Sequence, residues 1–188
     1  MSRIAGGTFV AVVGPSGAGK DSVLAYARAR LPDPRIRFVR RVITRRADPA
    51  LEDHDSLDTD AFALAEARGT FALSWRANGL AYGIPVDYDD DIRMGRVVVA
   101  NLSRGAVEAA RRRYASVVVA EIGAAPAVLA ARLVGRGRES AAEIEARLSR
   151  EGSSTPGAVA IDNSGPLAQA GGALVALIGG CLAESTPA

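Results

Sequence analysis

The stretch "TFVAVVGPSGAGKDSVLAYARARL", residues 8 to 31, constrains the fold more than any other part of the chain. The apolar, β-branched run "TFVAVV" reads as a strand buried on both faces of a parallel sheet. Gly14, Pro15, Ser16, Gly17, Ala18 and Gly19 form the turn that follows, and "KDSVLAYARARL" reads as a helix stopped by Pro32. Strand, glycine loop and helix together make a phosphate cradle, because backbone N–H groups and the positive end of the helix dipole face the same point. Lys20 ends the loop and is the only lysine of the chain, every other basic residue being arginine. A compact ammonium at that place reaches the β- and γ-phosphates of a nucleotide. Residues 14 to 22, Asp21 and Ser22 included, are therefore the expected nucleotide-binding segment, in a cradle that suits ATP or GTP.

The remaining pattern extends this unit into one domain. Buried strands are expected in "RVVVANLS", "SVVVAEIG" and "GAVAIDNSG", separated by helices in "RGAVEAARRRYA", "APAVLAARLVGRG" and "SAAEIEARLSREG" and closed by "PLAQAGGALVALIGGCLAES". Alternating strands and helices imply an α/β fold with a doubly wound parallel sheet. The alternation breaks between about 35 and 95. There "RIRFVRRVITRR" reads as one basic strand, and "TFALSWRANGLAYGI" as two strands joined at Asn78-Gly79. The expected organisation is a single domain over 1–188: a core of 1–34 and 95–188, an inserted substrate-binding lobe at about 35–95, and an arginine-rich lid at about 132–150. At 188 residues, 48% hydrophobic and 23% charged, the chain has enough apolar material for one full core.

Charge and cysteine content narrow the function classes. A net charge of +2 with no lysine/arginine block interleaved with aromatics argues against nucleic-acid binding. No segment reaches membrane-spanning length, and the N-terminal apolar run is too short for a signal-peptide core. Cys181 stands alone in an apolar segment and is expected to be a buried, unreactive thiol, with the cytoplasm as the default location. Oligomeric state is left open, a homodimer included.

Two arginine groups complement the loop. Arg132 and Arg136 are four apart, Arg147 and Arg150 three apart, so each pair shares a helical face. Joined through Arg138, they make a basic flap suited to closing over a triphosphate. In "RRVITRR", strand alternation sends Arg41 and Arg45 to the same face, where forked guanidinium groups suit a second phosphorylated molecule. The acidic run Asp87, Asp89, Asp90 and Asp91 is expected to be a solvated helix face. His54, the only histidine, is placed in a polar loop and outside the catalytic set.

The order "GPSGAGK", "TRR", "YGI", "RLVGRGRES" and "IEARLSRE" resembles the guanylate-kinase-like P-loop kinases across nearly the whole chain. More narrowly, "GPSGAGKDS", "RRVITRRAD", "EDHDSLDTDAF", "FALSWRANGLAYGIP" and "VVVANLSRG" are similar to the ribose 1,5-bisphosphate phosphokinases within that group. The resemblance implies a nucleoside-monophosphate-kinase type of fold. It also implies ATP-dependent conversion of a phosphorylated sugar, ribose 1,5-bisphosphate, to 5-phosphoribosyl 1-diphosphate in phosphonate breakdown. On that reading Lys20, Arg132, Arg136 and Arg147 serve the transferring phosphate. Arg41, Arg45, Tyr82, Asn101 and Arg104 serve the acceptor. Guanylate kinases read guanine with a glutamate and a hydroxyl residue, and "LSWRANGL" has tryptophan and small polar groups where the glutamate would lie, which disfavours GMP. Guanylate kinase or another small-molecule kinase on the same scaffold, and a non-catalytic interaction module, are the competing functions, the last weakened by the intact loop and Lys20.

Asp21 occupies the position where phosphate-binding loops place a Mg²⁺-holding hydroxyl. Guanylate kinases carry acidic residues at the strand end where this chain has Asn101 and Ser103. One site has gained a carboxylate while the other has lost one, which makes Asp21 a candidate Mg²⁺ ligand. Ser22 as the hydroxyl donor, with Asp21 facing the acceptor or solvent, is the alternative.

Overall fold

The computed structural model describes residues 2–45, 54–135 and 154–184. In chain order the strands are β1 (Thr8–Val13), β2 (Ile36–Phe38), β3 (Arg41–Ile43), β4 (His54–Ser56), β5 (Phe71–Ala77), β6 (Leu80–Pro85), β7 (Val97–Asn101), β8 (Val117–Gly123) and β9 (Val159–Asp162). The helices are α1 (Lys20–Arg30), α2 (Thr59–Ala67), α3 (Tyr88–Arg93), α4 (Val107–Arg113), α5 (Pro126–Gly135) and α6 (Leu167–Glu184), with a short 3₁₀ turn at Arg104–Ala106.

β1 is buried along its whole length because it is the central strand of a five-stranded sheet, order β2-β7-β1-β8-β9, in which every pairing is parallel. Its alternation divides the core in two. Val10 and Val12 join Val97, Val99, Ala120 and Ile122 beneath α1 and α6, where Leu174 and Ile178 are fully buried. Phe9, Ala11 and Val13 point the other way, onto Val98, Ala100, Ile92 and Tyr114. Helices cover both faces, which is why the strands read as continuous apolar runs. Gly171 of α6 allows the close approach of α1, since a Cβ there would lie 2.2 Å from the Tyr26 ring.

A second sheet, order β4-β3-β6-β5, rises from this core. The β5–β6 hairpin turns at Asn78 and Gly79, both with positive φ (50° and 73°), the type of turn that matches the strand twist. The single strand expected over 35–46 is in fact two. Ile36–Phe38 pairs with β7 in the core sheet, the Val39 N–H donates to the Val99 carbonyl, and the Arg40 N–H donates to the Tyr88 phenol oxygen. The chain then crosses to the second sheet at Arg41, where Val42 and Ile43 pair with Gly83 and Tyr82.

Two polar readings are also corrected. Of the acidic run, Asp87 and Asp90 are exposed, but Asp89 and Asp91 are buried, Asp89 against Arg113 and Tyr114 and Asp91 against Arg96 and Arg37. The helix lies against β7 rather than in solvent, so two of its carboxylates require cationic partners. His54 is a buried residue of β4, in register with Arg41, with Nε2 3.4 Å from the Arg45 carbonyl oxygen. Cys181 is buried in α6, as expected. No described helix is long and apolar enough to cross a membrane.

Candidate active site

All core strands run the same way, so the turns after β1, β7, β8 and β9 meet at one edge of the sheet, where doubly wound folds bind ligands. The loop after β1 carries Gly14, Gly17 and Gly19 at φ of 142°, 84° and 83°, conformations that other residues adopt only with strain. Gly19 caps α1, and a Cβ there would stand 2.6 Å from Asn163 Nδ2. That amide is the loop's support. Asn163 is buried just past β9, donates from Nδ2 to the Ala18 carbonyl (2.7 Å), and donates from its backbone N–H to the Gly123 carbonyl (2.7 Å). Arg132 of α5 reaches the same place, donating to the Asn163 carbonyl at 2.9 Å and to the Ala18 carbonyl at 3.5 Å. On the loop itself, Lys20 Nζ donates to the Gly14 and Pro15 carbonyls, both at 2.9 Å.

In front of the loop is a cleft of about 360 Å³. Gly14, Ser16, Gly17, Gly19, Lys20 and Asp21 form one side, and Arg41, Trp75, Ala77, Asn78 and Tyr82 of the second sheet form the other. Asn101, Leu102, Ser103 and Arg104, from the turn after β7, make the floor. A hydrogen-bonded chain crosses it: Asn101 Nδ2 donates to Asp21 Oδ1 (2.7 Å), and the Arg41 guanidinium donates to the Asn101 carbonyl (3.0 Å). Arg41 also lies 5.4 Å from the centroid of the Tyr82 ring, which stacks on Trp75 at 5.3 Å and 6°. Arg104 is held by Glu121 (2.8 Å), whose second oxygen accepts from the Thr155 N–H (2.8 Å). Arg104 also borders a second cleft, of about 480 Å³, with Pro15, Glu121, Leu129 and Asp162.

Lys20, Arg41 and Arg104 thus bring three cationic groups to one cleft. Against them, among the described residues, the lining carries one carboxylate, Asp21, which accepts from the Asn101 amide. Such a surplus suits anionic ligands on both sides.

Of the residues singled out in the sequence, the loop glycines, Ser16, Lys20, Asp21, Arg41, Tyr82, Asn101 and Arg104 meet at this cleft. Pro15 faces the second cleft, and Ala18 is buried with its carbonyl turned to Asn163 and Arg132. Ser22 is exposed and does not line the cleft. Arg45 lies two residues past the end of β3, so alternation does not carry it to the face of Arg41, and it does not line the cleft either. Arg132 braces the loop from behind. Arg136 and Arg147, with Arg138 and Arg150, lie outside the described residues, as does most of the expected lid.

Three contributors were not identified from the sequence: Asn163, Glu121 and Trp75. Asn163 had a legible signal, a polar residue directly after the apolar run "VAI" of a parallel strand. Glu121 interrupts "VVVAEIG" in the same way, a charge where a fully buried strand should have none. Trp75, the only tryptophan, had one signal: it falls in "LSWRANGL", where guanylate kinases carry the glutamate that reads guanine.

No protein-family model matches the chain. Its sequence is 52% identical over 170 residues to ribose 1,5-bisphosphate phosphokinase PhnN of Chelativorans sp., covering 88% of this chain and 81% of that protein. It is 55% identical over 163 residues to the protein of the same name from Brucella melitensis, covering 85% of each. With that of Burkholderia pseudomallei the identity is 50% over 175 residues, covering 91% of this chain and 95% of the other. Among solved structures, guanylate kinase of Anaplasma phagocytophilum superposes with a TM-score of 0.68 at 16% identity, over 100% of this chain and 90% of that one. A sugar kinase from Janibacter sp. superposes with a TM-score of 0.54 at 18% identity, over 96% and 99%. At such identities the two structures establish a shared fold.

Proposed function

The chain belongs to the ribose 1,5-bisphosphate phosphokinase family, and from that premise we propose that it transfers the γ-phosphoryl group of ATP to ribose 1,5-bisphosphate. The product is 5-phosphoribosyl 1-diphosphate, and the setting is phosphonate breakdown in the cytoplasm. The observation that carries the reading is the two-sided cleft, with a glycine loop and Lys20 facing Arg41, Tyr82 and Arg104 across about 360 Å³. One side suits a triphosphate and the other a second anion.

In the reaction an oxygen of the sugar's 1-phosphate attacks the γ-phosphorus of ATP, a new P–O bond forms, and the bond to the β-phosphate oxygen breaks to release ADP. The attacking oxygen is already ionised, so the protein has no need of a strong general base. Its work is positioning and charge neutralisation. Lys20 and the loop amides take the ATP phosphates. Arg41 and Arg104 orient the acceptor's phosphates, with Tyr82 beside them. Arg136 and Arg147 are assigned to the transferring phosphate, as the family resemblance implies. Arg132, clamped to Ala18 and Asn163, keeps the loop in its phosphate-binding form.

Mg²⁺ fits this cleft in one way. Among the described residues there is no group of three or more His, Cys, Asp or Glu side chains that could hold a metal. Mg²⁺ does not need one, since it is commonly bound by one or two carboxylates plus phosphate oxygens and waters. Asp21 supplies that carboxylate on the loop side. A bound ion would neutralise charge on the phosphate oxygens. Replacing Asp21 by alanine is expected to raise the Mg²⁺ concentration for half-maximal rate by about tenfold or more, the range seen when groups supporting a metal are lost. Ser22→Ala is expected to leave it unchanged. A near-normal rate for the Asp21 variant at limiting Mg²⁺ contradicts the assignment.

Asn163→Ala removes the amide beneath Ala18. The expected outcome is a KM for ATP raised by about tenfold, equivalent to one lost buried hydrogen bond of about 1.4 kcal/mol, with the KM for the acceptor unchanged in steady-state assays. The reading as a whole is tested by offering phosphorylated sugars and nucleoside monophosphates, GMP included, with ATP and Mg²⁺ and weighing the products. Turnover of ribose 1,5-bisphosphate alone supports it. Turnover of GMP alone, or of no acceptor, overturns it.

A further inference from the structure

Trp75 has no role in the phosphate contacts above, yet it lines the cleft with Tyr82 and is half-buried. The two residues are directly paired across β5 and β6, and their rings are parallel to within 6° at 5.3 Å. Cross-strand pairing fixes both backbones, and stacking fixes both rings, so they form one stiff unit. The Arg41 guanidinium lies over the Tyr82 ring, which ties this unit to the cationic side of the cleft.

The rest of the lining is strongly polar. Among the described residues its apolar side chains are Trp75, Ala77, Tyr82 and Leu102. A sugar bisphosphate has two anionic ends and one part without charge, the furanose ring. The ends match Arg41 and Arg104. The weakly positive C–H groups of a sugar ring match the negative face of an aromatic system. Resting on the functional reading above, we propose that Trp75 is a positioning residue for the acceptor, the surface against which the furanose ring packs while its phosphates are held by the arginines.

Trp75 is the only tryptophan, so its emission reports this wall alone. Titration with ribose 1,5-bisphosphate in the absence of ATP is expected to change the emission saturably, with a midpoint near the acceptor KM. Trp75→Leu is expected to raise the KM for ribose 1,5-bisphosphate about three- to tenfold, the size of one aromatic contact, while the KM for ATP stays constant and the thermal midpoint falls by only the few degrees that loss of the Tyr82 stack implies. Trp75→Phe, which keeps an aromatic face, is expected to restore most of the loss. An unchanged emission, an unchanged acceptor KM in Trp75→Leu, or equal rises in both KM values overturns the assignment while leaving the kinase reading intact. Failure of the parent protein to turn over ribose 1,5-bisphosphate overturns both.

Discussion

Replacing Lys20 by methionine is expected to lower kcat by about 10²–10³-fold, the usual cost of removing a preorganised group that meets charge developing on the moving phosphate. The side chain has nearly the same length, so the change deletes charge rather than volume. Nζ now donates to the Gly14 and Pro15 carbonyls, which holds the ammonium within the curl of the loop. Loop shape does not depend on those two bonds alone. Asn163 and Arg132 hold Ala18 from the opposite side, and the glycine conformations are built into the turn. The variant should therefore melt within a few degrees of the parent while losing turnover. Lys20→Arg should not restore it, because a planar fork cannot replace a compact ammonium in a tight loop. Rates from a coupled ADP assay, with thermal melts of the same preparations, check both statements.

Replacing Asp89 by alanine is expected to destabilise the fold by about 2–4 kcal/mol, the cost of leaving a buried donor unsatisfied and a half-buried cation without its counter-charge. That is a large share of the about 5–15 kcal/mol that holds a typical domain together. Asp89 is 1% exposed and accepts from Arg113 Nε (3.0 Å) and from the Tyr114 phenol (2.9 Å). Arg113 Nη2 meets its other oxygen. Burial, with the Asp89 charge beside it, pushes the Tyr114 phenol well above its ordinary pKa, so it remains a donor. Tyr114 is fully buried and stacks on Phe9 of the central strand at 4.8 Å, which places the network in the core. Without Asp89 the buried Tyr114 hydroxyl loses its acceptor, and the Arg113 guanidinium, a third exposed, keeps only water in its place. Asp90→Ala, one position along the same helix but exposed, is expected to cost less than about 1 kcal/mol. Urea melts distinguish the two through the midpoint at constant slope.

The elements legible in the sequence were those whose signal is local. The run from Thr8 to Arg30 folds as read, because strand, glycine turn and helix each carry their own pattern and Lys20 is fixed by the turn. The Asn78-Gly79 hairpin is of the same kind. What was not legible depended on which surface a segment meets. "RIRFVRRVITRR" has continuous strand character but changes sheets at Val39–Arg40, a change dictated by Val99 and Tyr88, distant in sequence. The acidic helix looked solvated because its cationic partners, Arg37, Arg96 and Arg113, lie on other elements.

The candidate site divides along the same line. Asp21 and Asn101 were linked in the sequence as a carboxylate gained and a carboxylate lost, and they are in fact hydrogen-bonded across the cleft. Arg41 reached the site as strand alternation implied. Arg45 did not line it, because the strand had ended. Asn163 acts from behind the loop through an amide, and no motif of the loop itself specifies it.

The most direct test of the account is ³¹P NMR of the purified protein with ATP, Mg²⁺ and ribose 1,5-bisphosphate. The predicted result is loss of the ATP γ-signal in step with growth of a diphosphate on the sugar, in equal amounts, with Lys20→Met giving almost none in the same time. Consumption of ATP to inorganic phosphate while the sugar bisphosphate remains unchanged, or no consumption at all, would contradict it.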